Sequence, residues 1–123
     1  MLLSNNKRKE MRNFEFRAWH KRAKEMLFSD KPEDIFKWSS EGQPVEIMQA
    51  TSYFDIHDKR IFEGDIIKQT IPPDPEFGTD EIIEIGAVVF SMDQFEINNY
   101  PLYTCVEFNC EIIGNIYENL ELL

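Results

Sequence analysis

Residues Arg60–Thr70 read "RIFEGDIIKQT". Two acids flank a glycine, between an aromatic residue and a pair of isoleucines. Asp65 is either a working carboxylate or part of a corner that turns the chain into a buried strand. Acid–base work needs a partner that holds or moves a proton, and no histidine, cysteine or other nucleophile adjoins Asp65 in sequence. The corner needs less. Gly64 takes positive φ at no side-chain cost, and an aspartate side chain holds such turns by accepting nearby backbone N–H groups. Ile66 and Ile67 then start a β-branched strand. Gly64 and Asp65 are therefore assigned to structure and to no reaction.

Working outward, "VEIMQAT" alternates, with Val45, Ile47 and Gln49 on one face and Glu46, Met48 and Ala50 on the other. "SYFDIHDKR" reads as the hairpin tip between this strand and the next. Upstream, "NFEFRAW" also alternates, setting Phe14, Phe16 and Ala18 opposite Glu15, Arg17 and Trp19, as a half-buried strand does. "EMLF", Glu25 to Phe28, is its returning partner in an N-terminal β-hairpin. "SDKPEDIFKW" carries helix-start chemistry: Asp30 as cap, Pro32 in the first turn and Glu33 three residues past the cap. Gly42 and Pro44 end this short helix.

Downstream, "IPPDPEFGTDE" is an acidic loop, since its prolines remove donors and lock φ. "EIIEIGAVVFS" reads as one long strand with Gly86 at a bulge or sharp bend. "FEINNY" and "PLYTCVEF" are further strands. In "CEIIGNIYENLELL", Gly114 and Asn115 break the last strand, and Leu120, Leu122 and Leu123 dock on the body. About seven short strands with frequent turns define the fold class as mainly β, a small barrel or roll with one short helix. Residues 1–10 are a loose arm and residues 11–123 a single domain.

Charge is distributed unevenly. Residues 1–37 hold ten Lys and Arg against six acids, a net of +4, while residues 38–123 hold three against seventeen, a net of −14. Such a body repels phosphates, so nucleic acid is the less favoured partner. The basic segment can instead meet the acidic body of another copy, which makes the chain a homo-oligomer. Candidate contact residues are Arg17, Trp19, Lys21 and Arg22 in the basic part and the aromatic pair Tyr53 and Phe54, with Trp38 assigned to packing. Two alternatives keep other uses for the charge: a small barrel binding nucleic acid through its basic segment, and an acidic DNA mimic that occupies a host protein.

Chemistry is sparse. Structural zinc sites use closely paired ligands, whereas His20 and His57 stand far apart among charged residues. Cys105 and Cys110, five apart, lie on opposite faces of a continuous strand and meet only if residues 107–109 turn the chain. They read as ordinary buried thiols. No phosphate-cradling glycine loop, nucleophile elbow or dinucleotide fingerprint is present, so no catalytic residue, cofactor or metal is assigned. No apolar run approaches the ~20 residues of a membrane helix, and the opening residues lack a signal-peptide core. The expected setting is the cytoplasm, with no membrane partner.

Three segments, "MRNFEFRAWHKRAKEM", "IMQATSYFDIHDKRIFEGDII" and "EIIGNIYENLELL", together resemble the YopX family of phage and prophage proteins. The resemblance runs over residues 11–123. It departs at Thr51-Ser52-Tyr53, where a Thr-Gly-Leu is usual, at the glycine-free tip Asp55-Ile56-His57-Asp58, and at Leu120, where a proline is usual. It implies a mainly β fold with an SH3-like barrel, phage or prophage origin in a bacterial host, and self-association. It implies no reaction, cofactor or catalytic residue. A host or phage protein is a further candidate partner.

Overall fold

The computed structural model describes residues 15–29, 31–107 and 109–123. The fold is mainly β, built of curled antiparallel sheets. The chain forms two compact units, residues 1–52 and 53–123.

In the first unit, β1 (Phe16–His20) lies between β2 (Glu25–Phe28) and β3 (Val45–Phe54), both antiparallel to it, with Ala18 opposite Leu27 on one side and Ile47 on the other. The expected hairpin is therefore present. Its turn is held by the His20 ring, whose Nδ1 accepts the Ala23 N–H at 3.0 Å. The half-buried pattern expected of β1 is not found: Arg17, Ala18 and Trp19 are all buried, because both faces of the strand are covered. Helix α1 (Pro32–Ser40) sets the Phe36 ring edge-on to Phe16, centroids 5.0 Å apart. Its predicted cap, Asp30, lies outside the described residues. Lys31 occupies the N-cap position, and the Ser29 hydroxyl accepts the Lys31 N–H and donates to the Asp34 carboxylate. Gly42 ends the helix at φ 84°, where its N–H donates to the Ser39 C=O, a left-handed stop that glycine takes without penalty.

The second unit begins with the last two residues of β3, which runs on into the expected tip as far as Phe54. It continues as β4 (Arg60–Phe62), β5 (Asp65–Ile71), β6 (Ile82–Ala87), β7 (Val89–Ser91), β8 (Gln94–Ile97), β9 (Tyr100–Pro101) and β10 (Asn109–Asn115). Two three-stranded sheets form, in the orders β10-β5-β6 and β7-β8-β9. One core gathers Ile61, Ile67, Val88, Ile97, Leu102, Cys105 and Cys110, against which Tyr53, Phe95, Val106 and Ile112 pack. The hairpins of the second sheet turn at Met92-Asp93 and Asn98-Asn99, all four with positive φ, the twist a two-residue hairpin requires.

Several expectations need correction here. "EIIEIGAVVFS" is two strands, since the chain leaves one sheet for the other at the buried Val88. Gly86 is neither a turn nor a bulge: register runs unbroken from Ile82 to Ala87 against β5. Its missing side chain makes room for Asn98, whose Oδ1 would lie 2.5 Å from a Cβ. Gly114 does not end its strand. It follows a bulge after Ile112, and β10 pairs as far as Asn115. "PLYTCVEF" contains a helical turn, α2 (Leu102–Cys105), which puts Leu102 and Cys105, three apart, both into the core. The Thr104 hydroxyl donates to the Pro101 C=O at 2.7 Å. The proline loop closes on itself through bridged Asp74 and Thr79, with Gly78 at φ 66°. Leu120, Leu122 and Leu123 do not dock; all three are exposed.

Cys105 and Cys110 are free, buried thiols in that core. Burial pushes the Cys105 thiol up; burial, with the neighbouring Cys105 and Asp55, pushes Cys110 up to about 12. Since only the thiolate reacts, neither cysteine should take iodoacetamide at mildly alkaline pH in the folded protein. Both should react in denaturant, which mass spectrometry reads directly. Rapid alkylation of the native chain would contradict the packing described.

Candidate functional site

The Gly64–Asp65 corner gathers three parts of the second unit. Gly64 stands at φ 88°. Its N–H donates to the Val88 C=O and its C=O accepts the Ile116 N–H, both at 2.9 Å. Asp65 then accepts the Val88 N–H on its own C=O, also at 2.9 Å. The Asp65 side chain is only 2% exposed, and its Oδ2 accepts the Phe62 N–H at 2.7 Å, across the turn it follows. This carboxylate is oriented by backbone. It sits where β4, β5 and the segments at Val88 and Ile116 converge.

A second buried carboxylate, which the sequence analysis leaves inside a hairpin tip, does similar work. Asp55 Oδ1 accepts the N–H groups of His57 and Lys59 at 2.9 and 3.0 Å, and Oδ2 accepts that of Ile112 at 3.1 Å. The Ile56 N–H adds a bond to the Cys110 C=O. An aspartate opening a polar tip, with N–H groups two and four residues on, is the local signal for half of this arrangement. The bond to Ile112 has no local signal. Burial pushes the Asp55 pKa up, but the bonds from Ile112, Lys59 and His57, with the His57 charge, outweigh it and hold the carboxyl below its ordinary 3.8.

The histidines serve separate contacts. His57 Nε2 meets Glu111 Oε2 at 2.9 Å on the surface of the second unit, and His20 Nε2 meets Gln43 Oε1 at 3.1 Å in the first. Among the described residues, no group of three or more His, Cys, Asp and Glu is arranged to hold a metal ion.

The residues expected at a contact surface are scattered. Arg17 and Trp19 are 6% and 9% exposed, so neither presents a surface. Lys21 and Arg22 are exposed in the β1–β2 turn, where the Lys21 ammonium pairs with Glu46 at 2.6 Å. An exposed ion pair of this kind contributes about 0–1 kcal/mol. Tyr53 packs against the core of the second unit. Phe54 remains 41% exposed, and the Arg60 guanidinium carbon lies 4.7 Å from its ring centroid. A set that the sequence analysis passes over as one ordinary strand is the exposed Ile82, Ile83, Ile85, Val89 and Phe90.

The model of the family described as YopX protein matches residues 29–123. The chain belongs to the YopX family. Among solved structures it is similar to protein EF1440 from Enterococcus faecalis, known from a crystal structure, at 26% identity and a TM-score of 0.61, over 89% of this chain and 97% of that one. No curated protein matches. The YopX match contains the whole second unit, with the Gly64–Asp65 corner and the Asp55 anchor, whereas Arg17, Trp19, Lys21 and Arg22 precede it.

Two substitutions separate backbone shape from the carboxylate. Asp65→Ala removes the carboxylate that accepts the buried Phe62 N–H and should lower stability by about 1–3 kcal/mol. Gly64→Ala, forced into the left-handed region, should cost about 1–2 kcal/mol. Urea unfolding measures both, and an unchanged midpoint for Asp65→Ala would contradict the anchoring role.

Asp55 yields a pH dependence. Its folded-state pKa lies below the ordinary 3.8, so its stabilisation is complete above that value and fades as pH falls through the lower, folded-state pKa. Asp55→Asn cannot present an oxygen to all three donors. It should be less stable at neutral pH by about 1–3 kcal/mol and lose less of its stability on acidification. Urea midpoints measured from neutral pH to below 3.8 check both effects; parallel curves for the two proteins would contradict the assignment.

Proposed function

We propose that this chain is a non-enzymatic accessory protein of a phage or prophage, acting in the bacterial cytoplasm through protein–protein contact and self-association. The observation that carries the reading is the charge division, +4 over residues 1–37 against −14 over the remainder, which lets the basic segment of one copy meet the acidic body of another despite the net charge of −10 on each. The three family-like segments support the phage origin. The absence of a reaction is supported by the two buried carboxylates, Asp55 and Asp65, both committed to backbone N–H groups. Burial of Arg17 and Trp19 takes the basic-aromatic pair away from any nucleic-acid strand. Among the described residues, no helix is long and apolar enough to cross a membrane.

Light scattering on the purified chain tests the self-association. At micromolar protein an oligomer is expected in roughly 0.01 M salt, where charges interact over about 30 Å, and dissociation toward monomer in roughly 1 M salt, where that range falls to about 3 Å. A monomer in both salts overturns the reading.

A further inference from the structure

Strand β6 is an edge of the β10-β5-β6 sheet, and its outer side is open in one short stretch. The Val88 N–H bonds to the Asp65 C=O, and an antiparallel ladder alternates from there. With Ile67 opposite Gly86, Gln69 opposite Glu84 and Ile71 opposite Ile82, the backbone groups of Gly86, Glu84 and Ile82 face β5. Those of Ile85 and Ile83 face outward. The Ile85 C=O is capped, accepting the Asn98 Nδ2 at 3.3 Å. The N–H and C=O of Ile83 have no protein partner among the described residues.

The side chains beside this opening are apolar on both faces: Ile82, Ile83 and Ile85 are 45%, 53% and 40% exposed. The usual guards of a sheet edge, lysine, proline or a bulge, do not occur between Glu81 and Ile85. Acids lie at the loop end, with Asp80 and Glu81 exposed and Glu84 half-buried. An extended segment suited to this edge offers backbone groups to Ile83, apolar side chains toward Ile85 and positive charge toward Asp80 and Glu81.

The chain contains a segment with that chemistry outside the described residues. Residues 1–14, "MLLSNNKRKEMRNF", carry four Lys and Arg against one Glu, a net of +3. Leu3 precedes Lys7 by four residues, the same separation as Glu81 from Ile85. Laid antiparallel with Leu3 at Ile85, the segment brings Lys7 to Glu81 and Arg8 to Asp80. Fourteen residues span up to about 46–50 Å when extended, enough to reach a neighbouring molecule. We propose that residues 1–14 of one copy add to the outer edge of β6 in a second copy. This inference rests on the self-association proposed above and names the surface that carries it.

The test uses full-length chains and light scattering in low salt. The triple variant K7E/R8E/K9E should weaken self-association by about tenfold or more, and D80K/E81K introduced into that variant should restore it by reversing both partners. Ile83→Pro removes the outward N–H without touching a bond to β5 and should weaken association by a similar factor; Ile83→Lys, a natural edge guard, repeats the test if the proline variant does not fold. A chain that is monomeric throughout overturns both the self-association and this surface. An oligomer indifferent to all these changes overturns the β6 edge and leaves self-association standing. Loss with the Ile83 variants alone, charge reversal having no effect, means that β6 edges pair with each other and overturns residues 1–14 as the occupant.

Discussion

The second unit depends on a buried carboxylate bound to backbone. Once Asp65 takes the Phe62 N–H, the chain must double back within three residues, and only glycine at position 64 accepts the resulting φ of 88° without strain. That reversal aligns the start of β5 so that Gly64 and Asp65 meet Val88 from one side while Gly64 meets Ile116 from the other. Ile66 and Ile67, next in line, are delivered into the interior. The corner thus sets the central strand of a sheet in which one neighbour, β6, follows across the proline loop and the other, β10, arrives much later in the chain. The orientation of this carboxylate answers to the fold.

The corner itself was legible from residues 60–70, since a glycine flanked by acids before β-branched residues has few other uses. The N-terminal hairpin, the short helix and the mainly β class were legible for similar reasons of alternation and punctuation. The departures share a cause. An apolar run carries no mark of where it changes sheets, so the break at Val88 between β6 and β7 stayed hidden. "LYTC" is β-prone by composition, yet burying Leu102 and Cys105 together, three residues apart, favours a helical turn there. Gly86 looked like a bend because its real reason, the Asn98 side chain lying over it, comes from another hairpin.

The contact residues proved harder still. Charge and aromaticity marked Arg17 and Trp19, but exposure depends on what covers each face of a sheet, and both faces of β1 are covered. The isoleucines of β6 are the reverse case, exposed on both faces. A residue type names what a surface can do; the packing over each face decides whether there is a surface.

The Asp55 anchor has a temporal consequence. Its carboxylate joins the hairpin tip to Ile112, fifty-seven residues away, and the Ile56 N–H to Cys110 nearly as far along. While the chain is being synthesised the tip emerges long before β10, so Asp55 Oδ2 and the Ile56 N–H stay in water until Ile112 and Cys110 are made. Closure of so long a loop comes late and slowly. The clasp therefore closes only once β10 is present, and a truncation that removes β10 leaves the first hairpin of the second unit without it.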